Sequence, residues 1–225
     1  MQVDTSYIQA KLVGYTQPAE EFKDSFSDIK DLVGFCARVS NPSNQMNTET
    51  SDRLIAYLLK HKHFSPFEMA SATIQVDTTR DIARQLLRHR SFTFQEFSQR
   101  YANPLTDMKF VYREARLQDK KNRQNSIQTD DADLQNSWDW KQAEVIRVAQ
   151  EAYKWAVDNG IALEQARVVL PEGNTMSRLY VQGTIRSFIH YLDAREPEAT
   201  GTQKEHRILA GEISKAVKTI FQVNP

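Results

Sequence analysis

Residues 80–101 read Arg80-Asp81-Ile82-Ala83-Arg84-Gln85-Leu86-Leu87-Arg88-His89-Arg90-Ser91-Phe92-Thr93-Phe94-Gln95-Glu96-Phe97-Ser98-Gln99-Arg100, and Tyr101 follows. Thr78 or Thr79 is an N-cap for a helix whose inner face carries Ile82, Ala83, Leu86 and Leu87. Arg80, Arg84 and Arg88 then recur every four residues and share one face. Five arginines stand against two acids, Asp81 and Glu96, inside a chain with 29 Lys+Arg and 29 Asp+Glu. Two readings follow. One is an anion site, because the guanidinium fork binds phosphate through paired hydrogen bonds and keeps its charge. The other is a solvated face whose arginines pair with nearby acids. Gln95, Glu96, Ser98 and Gln99 among phenylalanines supply the apolar walls and orienting polar groups of a ligand pocket. Arginine beside aromatics also suits an RNA binder, but the neutral total and the lack of a lysine-rich stripe weigh against one.

Outward from this stretch, Met69 to Asp77 alternates apolar Ala70, Ala72, Ile74 and Val76 with polar residues, as a half-buried strand does. Before it lie a strand at Tyr7–Gly14, a helix at Asp28–Arg38 and a helix at Ser51–Lys60. After it the pattern predicts strands resuming by Arg100 and at Phe110–Leu117. A polar loop or lid follows over 118–136, then a long helix opened by Ser137. That helix carries Val145, Val148, Ala152 and Trp155 at helical spacing and stops at Gly160. A short helix to Val169, a strand at Leu179–Val181, a helix turning Ile185, Phe188, Ile189 and Leu192 inward, and a last helix through Leu209, Ile213, Ala216, Val217 and Ile220 complete the chain. The expectation is one domain over residues 1–225, of α/β (α+β) class.

Composition narrows the function classes. Mean hydropathy is −0.60, and no apolar run approaches the roughly 18 residues a membrane span needs. Met1 to Ala10 lacks the cationic and apolar regions of a secretory signal, so a cytoplasmic, soluble protein is expected. The lone Cys36 excludes an internal disulfide and any multi-cysteine zinc site, and its setting in Leu-Val-Gly-Phe-Cys-Ala reads as a small buried residue. None of the seven glycines is spaced Gly-x-Gly, so phosphates, if bound, must be held by side chains and helix ends. His61, His63 and Glu68 could be read as metal ligands, but a His-x-His pair projects to different helix faces and further ligands are lacking; no metal is expected.

Arg88-His89-Arg90, then seven residues, then Ser98-Gln99-Arg100-Tyr101, resembles the signature of the flavin-dependent thymidylate synthases. His61-Lys-His63-Phe-Ser65-Pro66-Phe-Glu68, Ala37-Arg38-Val39-Ser40 and Ala166-Arg167-Val-Val-Leu170-Pro171 resemble further motifs of that family, as do Arg186, His190, Arg195 and Gln203. Thr93 and Gln95 stand where many members have Ser and Asn, Thr184 where Asn is frequent, and Met69 replaces a His. The resemblance implies that family's fold, a mixed sheet flanked by helices, in a homotetramer whose active sites draw on several subunits. It implies a methyltransferase that converts dUMP to dTMP with methylenetetrahydrofolate as carbon donor, FAD as hydride carrier and NADPH as reductant. It does not imply a nucleic-acid or membrane partner.

The same resemblance assigns dUMP to Gln85, Leu86, Leu87, Arg88, Glu96, Phe97, Ser98, Gln99, Arg100, Arg167 and Arg195. It assigns FAD to Ser65, Arg88, His89, Arg90, Glu96, Thr184, Ile185, Arg186 and His190, with His63 beside the flavin or folate. Arg195 is the expected catalytic residue, stabilising negative charge on the uracil rather than removing a proton. Read alone, Arg195 in Asp-Ala-Arg-Glu is a surface residue. Ser98 invites a nucleophile reading, but no base and orienter lie near it in sequence. The cysteine attack used by the unrelated classical thymidylate synthases is not expected here.

Overall fold

The computed structural model describes residues 5–196 and 201–222. Strands β1 (Gln9–Tyr15), β2 (Ser71–Thr79), β3 (Thr93–Glu96) and β6 (Met176–Thr184) form one sheet in the order β1-β2-β6-β3. Every pairing is antiparallel. The sheet is therefore not mixed: β2 and β3 run the same way, but β6 lies between them. The α+β class expected from the sequence is the one observed.

The strand alternation has a direct cause. Ala72, Ile74 and Val76 of β2 and Leu179 and Val181 of β6 are buried on one sheet face, under α3 (Arg80–Leu86), α7 (Ile185–Arg195) and α8 (Lys204–Lys218). Ile82, Leu86, Phe188, Tyr191, Leu209 and Ile213 fill that layer. The opposite face is polar, with Arg178 bridging to Asp77 at 2.6 Å and Thr93 donating to Gln182 at 2.9 Å. Gly183 permits one close approach: a Cβ there would lie 2.3 Å from the Phe92 ring. Phe92 thus packs on β6 and fixes the turn between α3 and β3.

Helices α1 (Ile29–Ala37) and α2 (Ser51–Lys60) pack on each other beside this core, close to the expected bounds. Asp28 caps α1, accepting from the Lys30 and Asp31 amides. Cys36 on α1 is half-buried rather than buried, and burial pushes its thiol pKa up.

Several expectations change. No strand resumes at Arg100; the strand is β3, and a turn leads into α4 (Pro104–Asp107), capped by the Asn103 side chain on the Leu105 amide at 2.9 Å. Over Phe110–Leu117 only an isolated bridge, Phe110 to Thr175, and the start of β4 (Arg116–Gln118) form. Residues 118–136, expected as loop or lid, contain the rest of a hairpin between β4 and β5 (Ser126–Gln128) and the first turn of α5 (Ala132–Asp158). Asp131, not Ser137, opens α5, its carboxylate accepting from the Leu134 amide at 2.9 Å; a carboxylate at the helix N-terminus satisfies an orphan N–H and opposes the helix dipole.

The stripe on α5 is also different. Ile146, Ala149, Tyr153 and Ala156 are its buried face, packed with Ala166 of α6 (Leu163–Ala166) and with Leu170. Val145, Val148 and Trp155 are 50–63 % exposed. In α7, Tyr191 is fully buried with Ile185 and Phe188, while Ile189 and Leu192 are half-buried. No helix among the described residues is long and apolar enough to cross a membrane.

Candidate active site

The expected ligand residues gather in three groups. The first joins the end of α3, the last turn of α7 and the start of α8. Leu86 is fully buried and anchors the end of α3 in the core, and the chain then turns so that the Phe92 amide donates to the His89 carbonyl at 3.1 Å. Arg195 Nε donates to His89 Nε2 at 3.0 Å. His89 must therefore be neutral with its proton on Nδ1. Burial, and then the charges of Arg195 and Arg88, push the His89 pKa down, which agrees with that state. The His89 ring meets the Tyr191 ring edge-on at 4.9 Å, and His206 at 6.3 Å. Burial, Arg195 and His89 push His206 down to about 3, while burial pushes the Tyr191 phenol up.

Gln85 of α3 is half-buried in this group. Its Nε2 donates to Gln203 Oε1 at 2.8 Å, and its Oε1 faces His206 Nδ1 at 3.1 Å. Gln203 Nε2 in turn donates to Glu205 at 2.9 Å. Burial opposes ionisation of Glu205, yet the hydrogen bond and charge of Arg116 hold its carboxyl below the usual carboxylate value.

The second group lies at the end of β3. Glu96 accepts from Ser177 Oγ at 2.9 Å and pairs with Arg80 at 3.4 Å. The Phe97 amide donates to the Arg178 carbonyl at 2.8 Å, extending the β3–β6 pairing by one residue. Beyond it the chain turns, with Ser98 Oγ accepting from the Arg100 amide at 3.3 Å. Gln99 is buried and its Nε2 has no hydrogen-bond partner among the described residues. Arg100 pairs with the Glu164 carboxylate at 3.2 Å, and Arg167 Nε donates to the Glu164 carbonyl at 3.2 Å.

The third group lies where α7 meets the 3-10 turn Ser65–Glu68. Arg186 reaches Glu68 at 2.7 Å and donates to His190 Nε2 at 3.3 Å. The His190 ring stands edge-on to Phe64 at 4.5 Å. Thr184 caps α7 by accepting from the Ser187 amide at 3.2 Å. His63 is exposed after Lys62, whose φ is 57°, and its ring lies 6.2 Å from both Tyr57 and His61.

Two expectations fail in detail. The arginines do not form one cationic helix face: Arg80 is buried against Glu96, Arg84 pairs with Glu172 at 3.3 Å, and Arg88 lies beyond the end of α3. The reading of arginines paired with nearby acids holds for Arg80 and Arg84. Among the described residues Arg88, Arg90 and Arg195 have no carboxylate partner. The side chains of Leu86 and Ile185 lie in the core, which leaves only their backbone to meet a ligand. Sequence reasoning missed Glu164, Tyr191 and His206. Glu164 stands three residues before Arg167 on a helical turn, a readable signal; His206 meets Gln85 across 121 positions and gave none.

Three surface cavities, of about 390, 490 and 550 Å³, contain none of the expected ligand residues. The smallest lies on the exposed stripe of α5, lined by Val145, Val148, Ala152 and Val169.

A family model described as "Thymidylate synthase complementing protein" matches residues 22–222. A probable flavin-dependent thymidylate synthase of Paramecium bursaria Chlorella virus 1 is 44% identical over 95% of this chain and 94% of its own. A flavin-dependent thymidylate synthase of Synechocystis is 41% identical over the same shares. The crystal structure of the UMP/dUMP methylase PolB from Streptomyces cacaoi, bound with 5-Br dUMP, superposes with a TM-score of 0.77 at 27% identity, over 95% of this chain and 90% of that one.

Proposed function

Because the chain belongs to the thymidylate synthase complementing protein family, we propose that it is a flavin-dependent thymidylate synthase. It methylates dUMP reductively to dTMP, with methylenetetrahydrofolate as carbon donor, FAD as hydride carrier and NADPH as reductant. The observation that carries the reading is the contact of Arg195 with His89 at 3.0 Å, which brings the end of α7 onto the Arg-His-Arg motif. A guanidinium held by a neutral imidazole, with no carboxylate partner among the described residues, keeps its full charge for a ligand.

The donor set fits the ligands. Arg88 and Arg90 are exposed and, among the described residues, have no carboxylate partner, as cations waiting for a pyrophosphate would be. Among the same residues the buried Gln99 Nε2 lacks a partner, and a buried donor left unsatisfied is costly unless a ligand completes it. Bound FAD supplies the hydride chemistry that no side chain offers. Arg88, His89, Arg90, Arg186 and His190, with Ser65, Glu96, Thr184 and the Ile185 backbone, hold that cofactor, and His63 borders it. Gln85, Arg88, Ser98, Gln99, Arg100 and Arg167, with the backbone around Leu86, Leu87 and Phe97, hold dUMP, and Glu96 accepts from its sugar hydroxyl. Arg195 lies against the uracil and stabilises the negative charge that develops there. Ser98 is a hydrogen-bonding residue, since its hydroxyl accepts from the Arg100 amide.

The three groups complete one another in a homotetramer. The support is the open apolar stripe of Val145, Val148 and Trp155 on α5, a surface of the kind that self-association covers. We place the enzyme in the cytoplasm.

The test is direct. Purified protein is expected to be yellow, to bleach with NADPH without oxygen, and to release tritium from 5-labelled dUMP only when folate and NADPH are both present. Colourless protein that binds RNA with steep salt dependence would instead favour the nucleic-acid reading.

A further inference from the structure

A buried polar chain leads from Arg116 to His206, and its direction is forced at one end. Glu205 is buried and held by Arg116 at 2.9 Å. An ionised carboxylate only accepts hydrogen bonds. The Gln203 group facing it at 2.9 Å must therefore be the amide nitrogen, which turns Gln203 Oε1 toward Gln85. Gln85 must then offer its nitrogen to Gln203 and its carbonyl oxygen to His206 at 3.1 Å. A carbonyl oxygen cannot donate, so the proton of this contact sits on His206 Nδ1. His206 Nε2 is left as a bare lone pair, buried and without a partner among the described residues. Each link removes one of two otherwise equivalent orientations of the next.

We propose that His206 is a positioning residue for the nucleotide: it ends a chain whose direction is set by Glu205 through Gln203, and its Nδ1–H, donated to the Gln85 carbonyl oxygen, helps hold that amide in one of its two flips. The inference rests on the reading that Gln85 touches dUMP. A glutamine amide free to flip presents a donor and an acceptor in either order. A nucleotide held in place by its phosphate contacts presents a donor or an acceptor at a fixed position, so only one order matches it. With one N–H and the carbonyl oxygen already engaged, Gln85 keeps one N–H and one lone pair for the ligand, in a fixed arrangement.

Flavin-loaded protein titrated with dUMP, followed by the flavin absorbance change, tests this with three variants. His206→Leu removes the donor and is expected to weaken dUMP binding about tenfold, the scale of one hydrogen bond, at unchanged flavin content. His206→Asn can present an amide N–H to the same carbonyl and is expected to recover most of the loss. Glu205→Gln unties the direction of the chain at nearly constant volume and is expected to weaken dUMP binding as well.

If His206→Leu binds dUMP as the parent does, or if His206→Asn is as weak as His206→Leu, the proposal falls while the synthase reading stands. If His206→Leu does not fold, Glu205→Gln decides: flavin retained and dUMP affinity unchanged overturns the positioning role. A parent protein that holds flavin but ignores dUMP overturns both readings.

Discussion

Arg100 and Arg167 both close on Glu164, the first on its carboxylate and the second on its carbonyl, each at 3.2 Å. Sixty-odd residues of chain separate the two arginines, and a four-residue helix, α6, is what brings them to one residue. The Arg100–Glu164 pair is more than half exposed on the arginine side, so it contributes little stability. On the proposed function, it holds the guanidinium near the site until the phosphate of the nucleotide displaces the carboxylate.

Arg100→Ala should therefore leave the melting temperature nearly unchanged. Its dUMP affinity should fall about 10- to 100-fold, the scale of a charge-assisted hydrogen bond. Glu164→Gln should do the opposite and tighten dUMP a few-fold by removing the competing charge. Calorimetric titration at two salt concentrations checks both.

Arg195→Ala should keep FAD, because His89 and the other residues proposed to hold the cofactor are unchanged. Turnover should fall about 100- to 1,000-fold, as when one electrostatic donor to a developing anion is lost. Flavin content and tritium release, measured on the same sample, separate the two effects. Persisting turnover would refute the role given to Arg195.

Cys36→Ala should remain active. The thiol is half-buried on α1, and burial raises its pKa, which disfavours the thiolate needed for attack. Loss of tritium release by a variant that still melts cooperatively would contradict this.

Acid should destabilise the fold through His206 and His89. Both have native pKa values below the ordinary histidine value, His206 at about 3. The unfolded chain thus binds protons that the native state refuses, so stability present above about pH 6.5 declines as pH falls toward the native values. Denaturant titrations between pH 7 and 4 should show this decline, and His206→Leu should make it shallower.

Val148→Asp should leave the fold intact but reduce self-association, because this exposed residue belongs to the apolar stripe on α5. Light scattering should report a smaller assembly, and tritium release should fall with it. An unchanged mass would exclude α5 from the interface.

The sequence by itself determined the α+β class, the main helices and strands, and the family motifs. These are written in local periodicity: alternation in β2 puts one face against helices, and the spacing in α1, α2 and α8 does the same for helix faces. Without a Gly-x-Gly loop, the sequence also implies that any phosphate is held by side chains and helix ends. Tertiary structure decided the rest. On α5 two apolar stripes compete, and only packing against α6 shows that Ile146, Ala149 and Tyr153 are inside while Val145, Val148 and Trp155 are out. Arg80, Arg84 and Arg88 read alike along the chain, yet the partners of the first two, Glu96 and Glu172, come from other elements, and among the described residues Arg88 has no carboxylate partner. The setting of Gln85 was equally hidden, because it is fixed by Gln203 and His206 from α8 and its approach. A side chain's charge and hydrogen-bonding capacity are local properties, whereas what satisfies them depends on neighbours that only folding brings near.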